Sequence, residues 1–101
     1  MRMILFFDLP TLTSKNRRDY RKFIKHIKKI CFNMIQESVY VKMSIDSQMV
    51  NSISNKLKEN LPPDGNIMVL SITEKQFSSM QILLGESSSD VLNSDERMVV
   101  I

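Results

Sequence analysis

Met3-Ile4-Leu5-Phe6-Phe7-Asp8-Leu9-Pro10 is an unbroken apolar run closed by an acid and a proline. A run without alternation reads as a strand buried on both faces. Pro10 has no backbone donor and stops the strand, so Asp8 falls at its C-terminal tip. Directly after it, residues 14–30 read as a helix with Thr13 or Ser14 as N-cap. Tyr20, Phe23, Ile24, Ile27, Ile30 and Cys31 form one apolar stripe at helical spacing. That stripe, if it continues unbroken, carries Cys31 into the core. Lys15, Arg17, Arg18, Arg21, Lys22, Lys25, Lys28 and Lys29 fill the opposite arc, with Asp19 and His26 at one margin.

Working outward, residues 32–43 read as a second strand, in which Ile35, Val39, Val41 and Met43 share a parity. Strict alternation would put Glu37 on that apolar face, so a bulge or bend is expected near Gln36–Ser38, or Glu37 faces an interface. Ser44 or Asp46 opens a second helix, with Met49, Val50, Ile53, Leu57 and Leu61 on its inner side and Pro62-Pro63-Asp64-Gly65 as its stop. Residues 67–72 give a third strand. Thr73-Glu74-Lys75-Gln76 has capping-box spacing and predicts a short helical turn over residues 73–79. Residues 80–84 give a fourth strand. Residues 86–97 are polar and read as a linker, ahead of the apolar Met98-Val99-Val100-Ile101.

The order strand, helix, strand, helix, strand, strand is that of an α+β, ferredoxin-like domain. The expected sheet is antiparallel and of βαββαβ type, with two helices on one face and a short extra C-terminal strand. Residues 1–85 would form that domain, and residues 86–101 a linker plus a strand that pairs with another edge. The helix-free face carries large apolar residues, with little but the tail to cover it. Two copies packed sheet to sheet are the simplest solution, so a homodimer is expected.

With 101 residues, 43% of them hydrophobic and 25% charged, the chain has room for one domain. The lone Cys31 forbids an intrachain disulfide, and with the lone His26 it cannot build a structural zinc site in one chain. The longest apolar run falls far short of the ~20 residues of a bilayer span. The N-terminus lacks a signal-peptide pattern. A soluble protein of a reducing, intracellular compartment is expected, with no membrane partner. Net charge is only +3, yet residues 1–42 carry ten Lys/Arg against three acids, and the remainder four against eight. So concentrated a positive charge points to an anionic partner.

The helix at residues 14–30 would carry that contact, chiefly through Arg17, Arg18, Arg21, Lys22 and Lys25. Cations in a first turn oppose the helix dipole, so stability alone does not place them there. A cationic row about 25 Å long matches a duplex backbone. No aromatic is interleaved, which implies phosphate contact without base stacking or sequence readout. Asp8 is the candidate catalytic and metal-ligating residue. A two-fold axis near the strand tip would bring Asp8 of both copies together, and Mg²⁺ or Mn²⁺ between them would relieve their repulsion and could activate water against a phosphodiester. His26 is a boundary residue rather than a general base. Gly65 and Gly85 are the only glycines, so no Gly-rich phosphate loop exists. An RNA-recognition module is excluded because residues 66–72 hold no aromatic platform.

Taken in order, Phe6-Phe7-Asp8-Leu9-Pro10, Arg17 and Arg18 with Tyr20-Arg21-Lys22-Phe23, and Gln36-Glu37-Ser38-Val39-Tyr40 resemble CRISPR-associated protein two. Pro62-Pro63 before Gly65, Thr73-Glu74-Lys75-Gln76-Phe77 and Leu83-Leu84-Gly85 are similar to the version found beside the single-protein RNA-guided effector nuclease. The resemblance covers essentially the whole chain. It implies a cytoplasmic, prokaryotic, ferredoxin-like homodimer whose C-terminal strands can cross to the partner subunit. It implies a spacer-acquisition adaptor that bridges two dimers of the integrase, CRISPR-associated protein one, and supports the protospacer duplex. The effector nuclease would be a further partner. Many members are described as metal-dependent endonucleases of RNA or DNA whose first-strand Asp, matched by Asp8, holds the metal. A stand-alone toxin-type dimeric endoribonuclease is the alternative.

Overall fold

The computed structural model describes residues 1–85 and the backbone of residues 99–100. Strand β1, Arg2–Asp8, is followed by helix α1, Ser14–Lys29. Then come β2, Asn33–Gln36, β3, Val39–Met43, and α2, Ser47–Lys58. They are followed by β4, Asn66–Ile72, α3, Glu74–Ser78, β5, Gln81–Ile82, and β6, Val99–Val100. The first four strands make an antiparallel sheet in the order β2-β3-β1-β4. This is the expected ferredoxin-like α+β arrangement.

Both long helices start where their caps dictate. The Thr13 hydroxyl accepts from the Asn16 amide at 3.0 Å, and the Asn16 side chain closes the capping box on the Thr13 amide at 3.3 Å. The Asp46 carboxylate accepts from the Met49 amide at 2.9 Å. Alternation along β1 then sorts the two faces. Met3, Leu5 and Phe7 pack with Phe23 and Ile27 of α1, Ile53 and Leu57 of α2, and Tyr40. Phe7 is the aromatic hub, edge-on to Phe23 at 5.2 Å and stacked on Tyr40 at 5.8 Å. Ile4 and Val41 look the other way and are covered by Phe77 of α3, with Phe6, Met80 and Ile82 around them.

Four expectations need correction. Residues 32–43 are not one strand but a hairpin, turning at Glu37–Ser38, with a register shift between Met34 and Gln36. Ser38 takes φ 67, a left-handed turn position that glycine or asparagine usually marks. Second, Cys31 is exposed. The stripe ends early because Cys31 takes φ 73 and α1 closes in a Schellman motif: the Cys31 amide donates to Lys28 O and the Phe32 amide to Ile27 O, each at 3.0 Å. Third, Leu61 lies beyond α2 and is 50% exposed. Fourth, residues 80–84 shrink to the two-residue β5, which pairs in parallel with β6 in a separate sheet. The polar linker expected over residues 86–97 lies outside the described residues.

Among the described residues, α3 covers the Arg2 end of the helix-free face, with Met80 and Ile82 beside it. Arg2 donates through Nε to both Glu74 carboxylate oxygens, at 2.8 and 3.0 Å, and its guanidinium sits 4.6 Å from the centre of the Phe77 ring. That clasp fixes α3 over the Arg2 end. Toward the other end Met68 is 63% and Leu70 51% exposed, both on the same face as Phe6 by register.

Candidate carboxylate tip and cationic helix

Asp8 ends β1 opposite Asn66 and is exposed. Alternation puts it on the face of Ile4 and Phe6, away from α1 and α2. Its backbone is held from several sides. Phe7 before it is locked in the core and donates its amide to Ser38 O at 3.1 Å, and Leu9 after it is buried. Across the ladder, Gly65 runs so close that a β-carbon there would lie 2.7 Å from the Asp8 carbonyl oxygen and 2.6 Å from Leu9 Cδ2. Gly65 has φ +107, a region open to glycine alone at little cost. The position of the carboxylate is thus set by packing and backbone contact.

All eight cations of α1 are exposed. Among the described residues the ion pair that forms is Arg2–Glu74, so acids do not neutralise the α1 row. Arg18, Arg21 and Lys25 are exposed without an ion-pair partner among the described residues, and Lys22, also exposed, borders a concavity with Asp19 and Glu59. Arg17 differs: its Nη1 donates to the carbonyls of Thr11 and Leu12 at 3.2 and 3.1 Å, and its Nη2 to Ser14 Oγ at 3.4 Å. Nothing in the periodicity could reveal that contact, because the loop it closes has no pattern of its own.

His26 has a structural role, as its marginal position implied. Its Nε2 lies 3.0 Å from Lys56 O and its Nδ1 3.4 Å from the Asn60 amide nitrogen. A tautomer protonated on Nε2 satisfies both contacts and ties α1 to the end of α2. Asp8 and His26 are therefore not brought together. Among the described residues no three His, Cys, Asp or Glu side chains gather closely enough to hold a metal ion. A concavity of about 520 Å³ lies between α2 and β4, lined by Leu57, Leu61, Ile67 and Val69 with Lys58 and Asp64. It includes neither Asp8 nor a cation of α1.

A family model described as CRISPR associated protein Cas2 matches residues 1–80. The chain belongs to the Cas2 family. It is 46% identical over 101 residues to the CRISPR-associated endoribonuclease Cas2 of Treponema denticola, covering all of both chains. To the protein of the same name from Streptococcus mutans serotype c it is 46% identical over 101 residues, all of this chain and 93% of that one. The Ligilactobacillus salivarius relative, likewise so named, is 39% identical over the full length of both. The crystal structure of Streptococcus pyogenes Cas2 at pH 6.5 superposes with a TM-score of 0.56 at 19% identity, over 73% of this chain and 88% of that one. That likeness carries the Cas2 fold. No helix among the described residues is long and apolar enough to cross a membrane.

Proposed function

We propose that this Cas2 chain is a cytoplasmic homodimer that binds the backbone of duplex protospacer DNA and bridges two integrase dimers during CRISPR spacer acquisition. The observation that carries the reading is the row of exposed α1 cations without acidic partners among the described residues. A second copy seated on the uncovered apolar half of the sheet, at Met68 and Leu70, would leave both α1 helices on the outside. Each copy would then turn its cationic row outward, toward nucleic acid. Arg18, Arg21, Lys22 and Lys25 would contact phosphates. Residues 86–101 would form the linker and the strand that docks on a partner subunit or protein.

The relatives are named endoribonucleases, which favours a second reading, endonuclease activity; its dependence on a metal and its extension to DNA are part of our proposal. One chain offers a single carboxylate at the tip of β1, which does not make a divalent-cation site alone. Two copies joined at that half of the sheet would bring two Asp8 carboxylates together, a donor set that suits Mg²⁺ or Mn²⁺ with water and phosphate completing its shell. Such an ion, when bound, supplies an activated water and charge neutralisation at phosphate. The chain's own share is to hold Asp8 in place through Phe7, Leu9 and Gly65.

Duplex binding measured against salt concentration tests the scaffold role. The expected result is a steep linear fall of log affinity with log salt, with little dependence on sequence. A flat slope would overturn it. Cleavage of single-stranded RNA and of duplex DNA, compared between the parent and Asp8→Asn with magnesium or chelator, tests the second reading. Cleavage that survives Asp8→Asn removes Asp8 from the chemistry.

A further inference from the structure

The loop between Asp8 and α1 has little packing beyond Leu9. Thr11, Leu12 and Thr13 are exposed, Leu12 to 89%. A loop with so little buried apolar surface opens easily unless polar contacts close it. Thr13 is held by its capping box with Asn16, and Thr11 and Leu12 by Arg17, whose guanidinium reaches back over the first turn to their carbonyls and to Ser14 Oγ. Nη1 serves both carbonyls while Nη2 reaches the Ser14 hydroxyl, so both arms of the planar guanidinium are engaged at once, an arrangement that the single nitrogen of an ammonium group does not reproduce. The same contact accounts for a cation where the helix dipole disfavours one.

We propose that Arg17 is a positioning residue that clamps the β1–α1 loop, and that it is not one of the phosphate contacts. The clamp fixes the spacing between the carboxylate at the tip of β1 and the cationic row on α1. Phosphate binding then falls to Arg18 and its neighbours on α1, whose side chains have no ion-pair partner among the described residues. The division of roles rests on the duplex-binding reading, but the clamp does not.

Two measurements on the full chain separate the possibilities. In the first, chymotrypsin nicks the peptide bond after Leu12, with cleavage after the buried Tyr40 of β3 as the internal control for global opening. Arg17→Lys and Arg17→Gln are each expected to raise the Leu12 rate about tenfold relative to the control. An unchanged ratio in both variants overturns the clamp. In the second, the salt slope of duplex binding is compared across variants. Arg18→Gln is expected to lower the slope by about one phosphate equivalent, whereas Arg17→Gln leaves it at the parent value. A slope reduced in Arg17→Gln and restored in Arg17→Lys makes Arg17 a phosphate contact and overturns the assignment. If the parent itself binds without salt dependence, the duplex reading fails, and the nicking ratio alone decides the clamp.

Discussion

Gly65 and Asp8 are in backbone contact: a β-carbon on Gly65 would stand 2.7 Å from the Asp8 carbonyl oxygen. Gly85 has a similar φ, +117, but nothing lies within 4 Å of its β-carbon position. Both substitutions to alanine carry backbone strain of about 1–3 kcal/mol. Only Gly65→Ala also pushes on Asp8 and Leu9. It should therefore lower the urea midpoint clearly more than Gly85→Ala, at an unchanged slope. Equal shifts would mean that the contact costs nothing.

Cys31 occupies the left-handed closing position of α1 at φ 73. A side chain there is strained by roughly 1–2 kcal/mol, partly offset by the greater freedom glycine has when unfolded. Cys31→Gly is expected to stabilise the chain by about 0.5–1 kcal/mol in urea. Because Cys31 is exposed, no core packing is lost.

The Tyr40 hydroxyl is held above the ordinary tyrosine value of 10.0, first by burial and then by the neighbouring Tyr20. The native state therefore keeps a proton that the unfolded chain gives up. Stability from this group is intact below about pH 10 and is lost as pH climbs from there through the raised native value. Thermal scans from pH 9 upward should show a smaller alkaline loss for Tyr40→Phe than for the parent. Parallel curves would exclude Tyr40 as the source.

Arg2 bonds Glu74 and covers the Phe77 ring, so removing it loses at least the ring contact beyond the ion pair that Glu74→Ala removes. Arg2→Ala should cost about 2 kcal/mol and Glu74→Ala about 1 kcal/mol. Both loosen α3 over Ile4 and Val41 and should raise binding of a dye specific for exposed apolar surface.

Leu70 is 51% exposed on the sheet face that α3 leaves open. If that half receives a second copy, Leu70→Glu places a charge in the seam on both sides. Sedimentation at micromolar concentration should then show a dimer for the parent and a monomer for the variant. A parent that sediments as a monomer defeats the homodimer.

Much of this was legible in the chain because local and global signals agree. Thr13, Asp46 and Thr73 announced their helices through side-chain acceptors placed before them, and β1 stood out as an apolar run cut by a proline. The hairpin at Glu37–Ser38 was hidden because its turn carries neither glycine nor asparagine, and a bulge gives almost the same polarity pattern. Cys31 deceived for a related reason: helical spacing continues on paper past a closure that only backbone hydrogen bonds reveal. At the candidate site, Asp8 and the basic arc could be read from residue type and spacing. The hold of Gly65 on Asp8 and the turn of Arg17 onto its own loop depend on which segments meet in space, and spacing along the chain does not encode that.

Asp8 and the cations of α1 lie on opposite sides of one sheet. Nucleic acid that met α1 would meet its cations with one helical acid, Asp19, among them, while a strand that met Asp8 would have to come in from the other side of the sheet. On the proposed reading, a duplex laid along the helix layer would be kept from the Asp8 carboxylate by the thickness of the protein itself.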